Sequence, residues 1–181
     1  MKKIIVFSDI HLNSADEPSL KKSSQKLEKA ILHLQGNHND FDTLVFTGDL
    51  ADSGKIEEYS ALRNLVSVIN RPIKFMLGNH DNRKNFLDVF PYYQPDHNGF
   101  LQSSEAYENL DFIFLDTLKD PHDDIPKSCG YLCKKRLDWL SQKLKEADHK
   151  KVILFIAFLH IKAVTKLIGD IERSFSVQIV I

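Results

Sequence analysis

Cysteine is scarce. Cys129 and Cys133 are two thiols in 181 residues, too few for a disulfide framework, and their C-x-x-x-C spacing is not a usual zinc or redox motif. No apolar run reaches the roughly 18 to 20 residues that a membrane span needs, so no membrane association is expected. Neither sign of charge is in excess. Lys and Arg number 24 against 25 Asp and Glu, a formal net charge of -1, which argues against a partner nucleic acid held by a basic surface. The opening Met1-Lys2-Lys3-Ile4-Ile5-Val6-Phe7 meets Ser8-Asp9 too early to be a signal-peptide core. It is expected to be a first strand, and the protein to be cytoplasmic. Solenoid repeats and low-complexity tracts are missing as well. What is present, 43% apolar and 27% charged residues, is the profile of a globular chain of about one domain.

Three similar units open the chain. Ile4-Ile5-Val6-Phe7 runs into Ser8-Asp9-Ile10-His11, Leu44-Val45-Phe46 into Thr47-Gly48-Asp49, and Ile73-Lys74-Phe75-Met76-Leu77 into Gly78-Asn79-His80-Asp81. Short, β-branched or aromatic runs of this kind read as buried strands. Between them, Leu20, Leu27, Ile31 and Leu34 share one helical face, and Ile56, Tyr59, Leu62, Val66 and Ile69 share another, with Pro72 expected to stop the second helix. Strand alternating with helix implies βαβ units and a largely parallel sheet. Further on, Gly99-Phe100-Leu101 and the run from Leu110 to Thr117 look like strands without a helix between them. They predict a second sheet with antiparallel pairing. Leu137, Leu140 and Leu144 mark a helix, and Lys151 to Leu159 a last strong strand.

In open α/β sheets, function collects at the carboxyl ends of the strands, where all three polar blocks fall. Asp9, His11, Asp49, Asn79 and His80 are therefore predicted to converge. Mixed oxygen and nitrogen donors suit borderline divalent ions such as Mn, Fe, Zn or Co. Asp49, with two oxygens, is the natural bridge between two ions roughly 3.5 to 4 Å apart, a spacing that clamps a phosphoryl group. Asn79 can ligate through its carbonyl oxygen. His80 would face a leaving group as a general acid or charge stabiliser, with Asp81 placed to orient it.

Asp9-Ile10-His11, Gly48-Asp49-Leu50-Ala51-Asp52 and Gly78-Asn79-His80-Asp81 together resemble the calcineurin-like metallophosphoesterases. The continuation Asn82-Arg83, the run Leu115-Asp116-Thr117, and Gly130-Tyr131-Leu132 leading to Leu137-Asp138-Trp139-Leu140 are similar to the class III cyclic nucleotide phosphodiesterases within them. The resemblance implies a four-layer αββα sandwich of two mixed sheets. It implies two divalent metal ions, most simply Mn, Fe or Zn, held by Asp9, His11, Asp49 and Asn79. Asn79, His80 and Arg83 would contact the substrate, a small nucleotide or other phosphodiester, with cyclic AMP the usual candidate. The reaction would be attack of a metal-bridging hydroxide, assisted by His80 and Asp81.

The family completes its site with a His-His-Pro-Pro-like segment after an apolar strand and a later Gly-His-x-His segment. Here Ala157 and Phe158 stand where the first pair is expected, His160 lies close by, and Gly-His-x-His is absent. His33, His38, His97, His122 and His149 fit no block and are expected to face solvent. Residues 1–156 thus read as the N-terminal part of the phosphoesterase domain and 157–181 as a divergent tail, with an apolar, β-prone end that needs a pairing partner. A truncated or frameshifted product is the expectation. Besides the cyclic nucleotide hydrolase, the sequence admits a phosphoesterase for another nucleotide or ester, and a non-catalytic scaffold or inactive remnant. It leaves the oligomeric state open.

Overall fold

The computed structural model describes residues 2–13, 21–124, 126, 129–147, 150–157 and 177–180, with backbone alone at 21–22 and 177–180. The chain forms two compact units, Met1–Gln94 and Pro95–Ile181.

In the first unit, β1 (Ile4–Phe7), β2 (Thr43–Phe46) and β3 (Ile73–Phe75) form a three-stranded parallel sheet in the order β1-β2-β3. The middle strand buries Leu44, Val45 and Phe46 in succession, as a parallel strand covered on both faces does. Phe46 stacks on Phe75 at 5.0 Å between ring centroids, and Phe75 meets Phe86 and Phe90. The crossovers are α1 (Lys21–Asn37) and α2 (Ile56–Val66), and α3 (Arg83–Val89) follows β3. Along α1, Leu27, Ile31 and Leu34 are buried; Leu20 lies outside the described residues. Tyr59, Leu62 and Val66 are the buried stripe of α2, while Ile56 at its start is exposed. This helix ends at Val66 rather than running to Pro72. Both the hydroxyl and the N–H of Ser67 donate to the Asn64 carbonyl, at 2.7 and 3.4 Å, and close the last turn first. At the other end of the sheet, Lys3 N–H donates to the Asp42 carboxylate at 2.7 Å, and Asp42 N–H returns a bond to the Lys3 carbonyl.

The second unit holds β4 (Ser103–Ala106), β5 (Leu110–Leu115), α4 (Lys134–Glu146), β6 (Lys151–Ile156) and β7 (Val177–Val180). Its sheet runs β4-β5-β6-β7, antiparallel at β4/β5 and parallel at the other two pairings. The antiparallel pairing is present, but in Ser103–Ala106; Gly99, Phe100 and Leu101 are not strand. Side chains take the backbone donors there. Phe100 N–H goes to Asp96 and Leu101 N–H to Asp116, at 3.0 and 2.8 Å, and Gly99 sits at φ +87°. On one face of β5 and β6, Leu140 and Leu144 of α4 and Ala147 just past its end pack over Ile113, Leu115, Val152, Leu154 and Ile156, with Trp139 beside them. Arg136 is wholly buried. It donates to the carbonyls of Asp116 and Leu118 at 2.9 and 2.8 Å and lies 4.4 Å over the Phe100 ring. The β-prone end of the chain is paired, with Val177–Val180 lying parallel to β6. Among the described residues no helix is long and apolar enough to cross a membrane.

Candidate metal centre

Because the first sheet is parallel, the blocks after β1, β2 and β3 emerge at one edge. The first two are stitched together past the strand ends. His11 N–H donates to the Asp49 carbonyl, Leu12 N–H to Leu50, and Asp52 N–H back to Leu12, all at 2.9–3.0 Å. Leu12, fully buried, anchors this seam.

The seam has an unusual backbone. Among the described residues, three other than glycine adopt the left-handed conformation: Asp9 at φ 53°, His11 at 45° and Asp49 at 47°. Each such residue costs on the order of 1–3 kcal/mol, less for Asp, whose short polar side chain tolerates the region. The same three residues bring one potential ligand atom each to within 4.8 Å of one another. His11 Nε2 lies 3.7 Å from Asp49 Oδ2, and Ser8 donates its hydroxyl to Asp9.

The third block locks onto this pair through Gly78. A Cβ there would collide with the Asp49 carboxylate and approach its backbone nitrogen to 2.5 Å, so the β3 loop comes this close only with hydrogen at that position. His80 N–H then donates to Asp49 Oδ1 at 3.0 Å. The His80 ring meets the His11 ring edge-on, 4.5 Å between centroids. Asn79, half-buried, stands between Gly78 and His80 in the same turn, and Arg83, also half-buried, opens α3.

Asp81 takes a different place from the one expected. Its carboxylate turns into the protein, 6% exposed, and accepts from Leu50 N–H, Ala51 N–H, Gly78 N–H and the Tyr59 hydroxyl at 2.9–3.1 Å. Burial pushes its pKa up to about 6 even against these four donors, and the same burial, with Asp81 beside it, raises Tyr59. The partner of the His80 imidazole is instead the Asp52 carbonyl oxygen, 2.7 Å from Nδ1. The Asp52 carboxylate lies 3.5 Å from His11 Nδ1. Asp52, His11 and His80 form a second group whose potential ligand atoms all lie within 4.8 Å of one another. An open cavity of about 620 Å³ borders Asp9 and His11, with Leu27 and Ala30 on its apolar wall and Asn13, Ser23 and Lys26 as polar lining.

The family profile described as calcineurin-like phosphoesterase matches residues 2–179 of this chain. The chain belongs to the calcineurin-like phosphoesterases. The match continues past Ile156, where the motif blocks stop. Among its relatives, a probable cyclic nucleotide phosphodiesterase of Rhodopseudomonas palustris is 30% identical over 153 residues, 84% of this chain and 55% of that protein. A probable glycerophosphodiester phosphodiesterase of Arcobacter nitrofigilis is 32% identical over 157 residues, 84% and 55% of the two chains. The chain thus spans about half the length of the curated relatives it matches. A purple acid phosphatase from yellow lupin seeds shares the two-sheet α/β fold, with a TM-score of 0.54 at 16% identity over 84% of this chain and 29% of that one.

Membership of this metallophosphoesterase family implies divalent metal cofactors. The donor set of this chain fits one. Two carboxylates and an imidazole of Asp9, His11 and Asp49 converge, and Gly78 keeps a methyl off the Asp49 carboxylate. Ala157 follows β6 directly. His160, considered as a replacement ligand, lies outside the described residues, as do Phe158 and His149. Sequence reasoning quoted Asp52 only as part of a block and passed over Tyr59 as a site contact. The signal for Asp52 was its place three residues after Asp49; nothing marked Tyr59 except its buried helical position.

Proposed function

We propose that this chain hydrolyses a phosphodiester with the help of divalent metal, and that its substrate is a 3',5'-cyclic nucleotide. One observation carries the reading: the three non-glycine residues held in left-handed backbone are the same three that converge as ligands, Asp9, His11 and Asp49. Strain of this kind persists where a site uses it. Asp9, His11 and Asp49 would hold metal, with Asn79 completing the set from the β3 turn. Divalent ions there supply Lewis acidity toward phosphoryl oxygens and make water a nucleophile near neutral pH.

The chain's own groups do the rest. The Asp52 carbonyl oxygen only accepts, so His80 Nδ1 carries a proton toward it. In the imidazolium, Nε2 then holds the proton that a departing alkoxide takes up. Arg83 and Lys26 bring positive charge for the phosphate, and the 620 Å³ cavity has room for a nucleoside-sized group. The Rhodopseudomonas palustris relative supports the cyclic nucleotide. The Arcobacter nitrofigilis relative, named for glycerophosphodiesters, supports a second reading in which another phosphodiester is the preferred substrate.

The test is hydrolysis by the metal-stripped full chain, with and without added Mn, of cyclic AMP, a glycerophosphodiester and a chromogenic diester. Mn-dependent turnover that falls more than about 100-fold in Asp49→Asn is expected, beyond what loss of a mere outer-shell partner costs, with cyclic AMP the best substrate. Turnover unchanged by Asp49→Asn overturns the reading. A glycerophosphodiester preference overturns only its cyclic nucleotide part.

A further inference from the structure

The donor groups of the first unit do not end with the set used for hydrolysis. His11 also faces Asp52 and His80, and one ligand atom from each of these three lies within 4.8 Å of the others. The two imidazoles meet edge-on at 4.5 Å, and the Asp52 carboxylate lies 3.5 Å from His11 Nδ1. All three residues are half-buried rather than enclosed, so an ion can reach them. His80 Nδ1 is 2.7 Å from the Asp52 carbonyl, which fixes the ring and leaves Nε2 with the free lone pair. Ligating histidines are commonly held this way, the second nitrogen bonded to a backbone oxygen.

We propose that His11, Asp52 and His80 form a second, inhibitory cation site distinct from the Asp9, His11 and Asp49 set. Two imidazoles and one carboxylate with an open fourth position match zinc and suit Mn or Mg poorly, since those ions prefer all-oxygen shells. An ion there occupies His11, which both groups share, and blocks the Nε2 of His80. Zinc at this site therefore competes with the hydrolytic metal and withholds the proton donor. The site stands independently of the hydrolytic reading; only its inhibitory effect rests on that reading.

The test separates the two sets by binding rather than turnover. Asp9→Asn breaks the first set, and Asn tolerates the left-handed backbone at that position. In the metal-stripped Asp9→Asn chain, Zn²⁺ alone is expected to bind by titration calorimetry and to shift the His80 ring signals in NMR. Adding Asp52→Asn or His80→Gln is expected to weaken that binding by at least about tenfold, the low end of what disturbing a metal site costs. His80 signals unmoved by zinc, or double variants that bind within about twofold of Asp9→Asn, overturn the proposal. Should Asp9→Asn fail to fold, Asp49→Asn breaks the first set in its place, and the same His80 signals and double variants decide it by the same criteria. Loss of hydrolysis in Asp49→Asn tests the functional reading separately, so either idea can fail while the other stands.

Discussion

At Asp81 a single carboxylate gathers four donors onto two oxygens. Leu50 N–H and Gly78 N–H share Oδ2, while Ala51 N–H and the Tyr59 hydroxyl share Oδ1. It thereby ties the β2 loop, the β3 turn and α2 into one piece beneath the ligands. Asp81→Asn is nearly isosteric, but its amide NH₂ must face two of these donors. Each donor left unsatisfied costs about 1–3 kcal/mol, so a loss of about 2–6 kcal/mol in urea unfolding is expected. Tyr59→Phe removes two bonds, one donated to the Asp81 carboxylate at 2.9 Å and one accepted from Asn82 N–H at 2.7 Å, and is expected to cost about 2–3 kcal/mol. An Asp81→Asn loss smaller than that of Tyr59→Phe would show that the carboxylate is not the hub. Gly78→Ala drives a methyl into both the Asp49 carboxylate and the Asp49 backbone nitrogen, so it is expected to lower stability and also to abolish binding in a calorimetric titration with Mn. The convergence of Asp9, His11 and Asp49 was legible in the sequence, since strand-end position follows from the alternation of apolar runs and polar blocks. The inward turn of Asp81 was not. Its partners lie about thirty residues away at Leu50 and Ala51, and no local pattern says which of two neighbouring groups, His80 or a distant amide, a carboxylate will meet.

Elements follow the same division between periodic and non-local information. The short α3 (Arg83–Val89) was not expected; helices α1, α2 and α4 and the strands with strong apolar runs were readable because burial of a stripe or run dominates them. Their ends were not, because single side chains set them. Ser67 closes α2 before Pro72 can act, and Asp96 and Asp116 remove Phe100 and Leu101 from any ladder. The start of β1 depends on such a side chain too. The Lys3 N–H bond, aided by the charge of Lys2, holds the Asp42 carboxyl below its ordinary pKa of 3.8. A carboxyl lowered on folding stabilises the fold above its unfolded pKa and loses that contribution as pH falls through the folded value. The difference in thermal midpoint between the natural chain and Asp42→Asn is therefore expected at pH 7 and to fade as the pH drops below the ordinary 3.8 and through the lowered folded value. A difference that persists in acid would assign the effect to packing. In the second unit, where Leu140 and Leu154 are fully buried, Leu140→Ala is expected to cost about 2–5 kcal/mol and to shift the emission of Trp139, the one tryptophan of the chain.

At the scale of the whole molecule, metal binding and folding are linked. Every described ligand candidate lies in Met1–Gln94, and the ligands come from three loops that only the folded sheet brings together. An unfolded chain therefore offers no comparable site, and metal that binds the folded state stabilises it by mass action. At a free Mn concentration of 100 times Kd the gain is about 2.7 kcal/mol. For a chain of this length that corresponds to a rise in Tm of roughly 5–10 °C. The strained backbone at Asp9, His11 and Asp49 makes this a sharp measurement, because the ion offsets a cost that the metal-free fold carries uncompensated. A chelated sample of the natural chain is expected to melt at the lower temperature, and added Mn to restore the higher one. In Asp49→Asn the two curves should coincide. If Mn shifts Asp49→Asn as far as the natural chain, the stabilising ion sits elsewhere, and the strand-end blocks lose their claim to the metal.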